Sequence, residues 1–147
     1  MSDISFENRT VIVTGAGNGL GKAYAIELGN RGAKVVVNDL GGAVDGSGSG
    51  NTPADEVVNE IISNGGEAVA NYDSVATKDG GESIVQSAID NFGTVDAVIN
   101  NAGILRDKSF AKLSEEELSL VIDVHLKGTF FVSQPAFRVM KEKNYGR

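Results

Sequence analysis

Four glycines within eight residues, Thr14-Gly15-Ala16-Gly17-Asn18-Gly19-Leu20-Gly21, leave the surrounding chain few folds to choose from. Before them runs Thr10-Val11-Ile12-Val13, short, apolar and β-branched, as a buried strand is. After them come Lys22-Ala23-Tyr24-Ala25-Ile26-Glu27-Leu28, mostly good helix formers. Glycine admits backbone angles that a Cβ forbids and lets the main chain approach a ligand closely. Free amides at the start of a helix, backed by its dipole, attract an anion. Strand, glycine turn and helix in this order therefore make a phosphate cradle. The spacing is not the common G-x-G-x-x-G fingerprint. Leu20 stands where the third glycine would fall, and the pattern is Thr14-Gly15-x-x-x-Gly19-x-Gly21. A plain strand-to-helix connection is the structural alternative for the turn taken alone.

Composition narrows the class. At 147 residues the chain is about one average domain. Being 41% hydrophobic and 22% charged, it matches an ordinary globular protein rather than a disordered one. No apolar run approaches the roughly 18 residues that span a bilayer, and Met1 to Glu7 lack the basic and apolar regions of a secretory signal. The absence of cysteine excludes disulfides, thiolate metal sites and cysteine nucleophiles. A single histidine, His125, excludes a multi-histidine metal site, so no metal is expected. A net charge of −7 opposes binding to nucleic acid or to an anionic membrane. The expectation is a reduced, intracellular, soluble α/β domain, with the cytoplasm as its place and the peroxisome as the alternative for a eukaryotic chain.

Arg31-Gly32 ends the first helix, and Lys34 to Asp39 follows as a second strand. Its three successive valines imply burial on both faces, as in a parallel sheet covered by helices. Asp39 lies 24 residues past Gly15 (39 − 15), close to where a dinucleotide fold holds its ribose-binding acid. A carboxylate there accepts from the ribose hydroxyls and repels the additional phosphate of NADP. The glycine turn supplies Asn18 rather than a compensating Arg or Lys, so NAD is the expected cofactor. The alternative for Asp39 is the opening of a polar turn. Gly41 to Asn51 has a linker composition and reads as a long loop over the adenosine end, or as an insertion without function. Thr52-Pro53-Ala54-Asp55 starts a second helix with a capping hydroxyl, a first-turn proline and an acid. Val57, Val58, Ile61 and Ile62 form its apolar face, and Gly65-Gly66 stops it. Glu67 to Tyr72 reads as the third strand and leads into Asp73-Ser74-Val75. A helix from about Asp79 to Phe92 ends at Gly93. Val95 to Ile99, the fourth strand, leads into Asn100-Asn101-Ala102-Gly103. Ser114 and Glu117 form a capping box that opens a long helical pattern reaching Met140, which Pro135 is expected to kink or interrupt.

The glycine turn in this setting and the Asn100 to Gly103 tetrad are identified as hallmarks of the short-chain dehydrogenase/reductase family, a resemblance that runs from about Phe6 to Arg147. Val35 to Gly42, Ala68 to Val75, and Asn100 to Asp107 with Ser109-Phe110-Ala111 are similar to a subgroup, the (3R)-hydroxyacyl-CoA dehydrogenase part of peroxisomal multifunctional enzymes of type 2. The resemblance implies a Rossmann-type, doubly wound parallel sheet, here of about four strands in the order 3-2-1-4 with the long helix beside it. Residues 1–147 would be its NAD-binding domain. It implies NAD-dependent oxidation of a 3-hydroxyacyl-CoA to the 3-ketoacyl form, or the reverse, by a homo-oligomer when full length. The cofactor residues it implies are Gly15, Asn18, Gly19, Leu20 and Gly21 in the turn and Asp39 at the end of the second strand. Asp73, Ser74 and Val75 would lie against the adenine, and Asn101, Ala102 and Gly103 along the cofactor.

His125 stands where most members carry an Asn that helps hold a water of the proton relay. It would support that relay by bending the helix and baring a backbone carbonyl; a structural histidine is the alternative. The base of the family is the Tyr of a Tyr-x-x-x-Lys pair. Leu28 and Ala76 stand four residues beyond Tyr24 and Tyr72, and no residue stands there for Tyr145, so this chain does not contain the pair. By itself it is expected to be inactive, with its fourth strand a bare apolar edge and its stability marginal. The alternatives are a non-catalytic nucleotide-binding module, or a family member acting on another substrate such as a 3-ketoacyl carrier protein.

Overall fold

The computed structural model describes residues 4–42 and 52–147. Of the linker-like stretch, residues 43–51 lie outside the described residues, as does the side chain of Thr52 that was read as a cap.

Strand β1 (Thr10–Thr14) pairs with β2 (Lys34–Asn38) on one side and with β4 (Ala97–Ile99) on the other, and β3 (Glu67–Asn71) lies beyond β2. All pairings are parallel and the order is β3-β2-β1-β4, as expected. Helices α1 (Gly19–Asn30) and α2 (Thr52–Ser63) cover one face. The other face is covered by α3 (Lys78–Phe92) and by a long helical run. That run consists of α4 (Glu115–Ile122), a π turn (Asp123–Lys127) and α5 (Gly128–Glu142). Side chains alternate along a strand, so one valine run serves both layers. Val11, Val13, Val35 and Val37 pack with Ala25, Val57 and Ile61, whereas Ile12 and Val36 pack with Ile84, Val85, Ala88, Val132 and Ala136.

Helix boundaries follow local chemistry. Gly32, Gly65 and Gly93 each take a positive φ just past a helix end. Ser114 and Glu117 make both bonds of the capping box, at 3.2 and 3.1 Å.

Four expectations change. Strands β2 and β3 end one residue early, which leaves Asp39 and Tyr72 just beyond the ladder. Strand β4 begins at Ala97 rather than Val95, because Asp96 Oδ2 accepts the Thr10 amide at 2.8 Å, a bond that a ladder carbonyl would otherwise make. Pro135 does not interrupt the helix; α5 runs through it, and the departure from α geometry lies upstream at Asp123–Lys127. Proline removes the N–H that would bond the Phe131 carbonyl. That carbonyl instead lies against α3, where a Cβ on Gly81 would come within 2.4 Å of it. Nor is the outer edge of β4 bare along its length. Arg147 donates its amide to Asp96 O at 3.0 Å and accepts from the Val98 amide at 3.1 Å, which covers the first part of that edge.

Candidate functional site

A cleft of about 380 Å³ opens at the carboxyl ends of the strands. Its position follows from the topology: β2 and β4 leave β1 in opposite directions, and the crevice where strand order reverses is where open α/β sheets bind ligands.

The glycine turn forms one wall. Gly15 has φ +62°, and a Cβ there would come 2.8 Å from Ala102 Cα, so only glycine fits the junction of turn and tetrad. Asn18 takes the N-cap position of α1 with an extended backbone, yet its side chain makes no capping bond, and the first turn carries no acid. The amides at this helix end thus keep their donors and their partial positive charge for an anion. Helix α1 packs closely on the turn because Gly21 has no side chain; a Cβ there would come 2.2 Å from Gly15 O.

Thr14 and Asn101 tie the turn to β4. The Thr14 hydroxyl accepts the Asn101 amide at 3.1 Å and the Ala102 amide at 3.0 Å. Asn101 Nδ2 donates to Thr14 O and to Gly15 O, both at 3.0 Å. Asn100 faces the other way and donates to Ser133 Oγ at 2.9 Å, linking the tetrad to α5.

Asp39 Oδ2 accepts the Gly17 amide and its Oδ1 the Gly41 amide, each at 2.7 Å. Each carboxylate oxygen retains acceptor capacity beyond these bonds. The acid both lines the cleft and pins the middle of the glycine turn. Across the cleft Asp73, Ser74 and Val75 follow β3.

Of the residues assigned from sequence, Gly15, Asn18, Gly19, Asp39, Asp73, Ser74, Val75, Asn101, Ala102 and Gly103 line this one cleft. Leu20 and Gly21 do not. The Leu20 side chain points to solvent at 68% exposure, and Gly21 lies beneath the turn as a packing residue. Asn38, Leu40, Gly42, Ile104 and Val124 also line it and were missed; all but Gly42 adjoin a residue that was assigned, and Gly42 belongs to the stretch read as a loop over the adenosine end. No Arg or Lys is among the lining residues, and none of the three tyrosines is. The Tyr145 ring lies instead under the Arg9 guanidinium at 4.0 Å, below the amino end of β1.

His125 sits in the π turn, a feature frequent at functional sites. Its Nε2 lies 3.0 Å from Ile104 N and 2.9 Å from Ile104 O, so the ring holds the segment after the tetrad. A Cβ on Gly103 would come 2.7 Å from the ring, which explains the glycine. Within the turn His125 O accepts the Thr129 hydroxyl at 2.8 Å and keeps a second lone pair.

Among the described residues no helix is long and apolar enough to cross a membrane. Residues 9–147 match the family model for short chain dehydrogenase. The chain is 57% identical over 144 residues to peroxisomal multifunctional enzyme A of Dictyostelium discoideum, covering 98% of this chain and 32% of that protein. It is 53% identical over 146 residues to peroxisomal multifunctional enzyme type 2 of Mus musculus, covering 99% and 20%. With the peroxisomal hydratase-dehydrogenase-epimerase of Saccharomyces cerevisiae it shares 55% over 145 residues, covering 99% and 16%. The chain thus spans less than a third of the length of each of these relatives. A crystal structure of a short chain dehydrogenase from Mycobacterium avium superposes with a TM-score of 0.84 at 46% identity, over 95% of this chain and 49% of that one.

Proposed function

The chain belongs to the short-chain dehydrogenase family, and from that premise we propose that it binds NAD and forms the cofactor-holding part of an enzyme acting on 3-hydroxyacyl-CoA. The observation that carries the reading is Asp39, a carboxylate in the cleft with both oxygens steered by backbone amides and no cation among the lining residues. Such an acid suits a ribose diol and disfavours a ribose phosphate. The amides at the start of α1 would hold the diphosphate. Asp73 and the Ser74-Val75 backbone would meet the adenine, and Asn101 to Gly103 would run along the nicotinamide half. Bound NAD would supply the hydride acceptor.

His125 would keep the relay side of the site in place through its hold on Ile104 and the π turn. The proton-accepting Tyr-x-x-x-Lys pair has no counterpart among these residues, so this chain alone is expected to bind and not to turn over. The acyl-CoA substrate is supported by the three segments similar to the hydroxyacyl-CoA dehydrogenase subgroup and by the names of the relatives. For location the reading is the cytoplasm, with the peroxisome as the alternative for a eukaryotic source.

Titration calorimetry with NAD and NADP tests the cofactor. NAD should bind more tightly than NADP, and Asp39→Ala should weaken NAD by about tenfold or more, the effect of losing hydrogen bonds to a charged group. Failure to bind either dinucleotide would overturn the reading.

The homo-oligomer has its own support. Leu118, Ile122, Leu126, Phe130 and Phe137 form an exposed stripe along α4, the π turn and α5, with Phe130 at 65% and Phe137 at 64% exposure. Residues recurring every fourth position drift around a 3.6-residue helix; the wider π turn takes up the drift and keeps the stripe on one side. Exposed Glu115 precedes the stripe and exposed Lys141 follows it. A second copy laid antiparallel would bury the apolar centre and match acid to base at both ends. Phe130→Glu should shift the protein to monomer in sedimentation velocity; an unchanged dimer would reject this face.

A further inference from the structure

The Asp73 carboxylate is held from one side only. Its Oδ2 accepts from Asn71 Nδ2 at 2.9 Å and from the Ser83 hydroxyl of α3 at 2.7 Å. Asn71 is fixed in turn by Asn38, a residue only 2% exposed, whose amide donates to Asn71 Oδ1 at 2.8 Å and to the Asp73 carbonyl at 2.9 Å. Asn71 Oδ1 also takes the Asp73 amide at 3.0 Å. Two donors on one oxygen set the rotation of the carboxylate, and Oδ1 receives no hydrogen bond from any described residue. Asp73 lines the cleft and Ser83 does not. An ionised carboxylate oxygen only accepts, so Oδ1 can welcome a ring amine and must oppose a ring carbonyl.

We propose that Ser83, without reaching the cleft, sets the preference of the adenosine end for adenine over hypoxanthine by locking Asp73 with Oδ1 toward the base. Adenine presents an amine at position 6, where hypoxanthine presents a carbonyl oxygen. With Ser83 removed, Oδ2 keeps Asn71 as its single donor and the side chain can turn away from the base, which weakens both its pull on an amine and its opposition to a carbonyl. The inference rests on reading the cleft as a NAD site. Ser83 is a positioning residue; being exposed on α3, it can be changed without opening the core.

The experiment is calorimetric titration of the protein, Ser83→Ala and Ser83→Thr with NAD and with nicotinamide hypoxanthine dinucleotide. The unaltered protein should prefer NAD by about ten- to a hundredfold, the range for a hydrogen bond to a charged group. Ser83→Ala should reduce that preference to about threefold or less, and Ser83→Thr, which keeps the hydroxyl, should restore it. An alanine variant that weakens both ligands equally, or retains the full preference, overturns the proposal while leaving the NAD site intact. Binding of neither dinucleotide overturns the proposal and the cleft reading together.

Discussion

Valine in place of Gly21 should abolish NAD binding and lower the melting temperature by roughly 10 °C, the shift that about 3 kcal/mol produces in a domain of this size. The new Cβ would come 2.2 Å from Gly15 O and 2.5 Å from Asn101 Nδ2. Neither can yield cheaply. Gly15 O belongs to a backbone at φ +62° pressed against Ala102, and Asn101 Nδ2 is bonded to two carbonyls of that turn. Helix α1 must move off the turn, so its amides lose the position from which they would meet a diphosphate. Gly19→Ala is the control. At φ +55° its Cβ would find nothing within 4 Å, so it should cost about 1–2 kcal/mol of backbone strain and no collision. Thermal melts with NAD titrations check both, and a Gly21→Val protein that binds NAD within twofold of the unaltered chain would refute the account of the turn.

The second large effect lies at the opposite end of the sheet. Asp96 is 5% exposed and accepts from the Thr10 amide at 2.8 Å and from Lys143 Nζ at 2.6 Å, with Arg9 at 3.6 Å. Asp96→Ala orphans the Thr10 amide and leaves Lys143, itself largely covered, with Thr94 as its remaining hydrogen-bond partner among the described residues. Breaking one side of such a pair costs about 3 kcal/mol. Asp96→Asn, which can still accept from Thr10, should cost less. Burial pushes the Asp96 carboxyl up, but the Lys143 and Thr10 hydrogen bonds and the charges of Lys143 and Arg9 outweigh it and hold the group below the usual carboxylate range. Its folded-state value is therefore lower than its unfolded one, near 3.9. The stabilisation is complete above that pH and disappears as pH falls through the folded-state value. Melts taken from pH 6 to pH 3 should show the gap between the unaltered protein and Asp96→Asn narrowing below about pH 4; a gap that stays constant would remove Asp96 as its source.

Neither the Asp96 anchor nor the Asp73 clamp was legible beforehand, and for the same reason. Asp96 read as part of a fourth strand because apolar residues surround it. Its carboxylate has a use only where Thr10, 86 positions away, presents an amide. Leu20 and Gly21 were assigned to the cofactor by their place in a motif; the Leu20 side chain faces solvent and Gly21 packs beneath the turn, which leaves their backbone amides as what they can offer a ligand. Pro135 was expected to kink or interrupt a helix, a sound inference for an isolated segment. What α5 tolerates depends on Gly81 of α3, 54 residues earlier (135 − 81), lying against the Phe131 carbonyl.

The sequence by itself determined the order of elements, the parallel sheet and the end of the sheet where the cleft opens. Those rest on short-range facts: valine runs that need cover on both faces, glycines at helix ends, a capping box, and an acid closing the second strand. Tertiary structure alone decided which assigned side chains share the cleft, the shortened fourth strand, the π turn that seats His125 on Ile104, and the network that fixes Asp73. Each of these is a contact between groups distant in the chain, and a hydrogen bond or a missing Cβ acquires its value only when folding has brought its partner within reach.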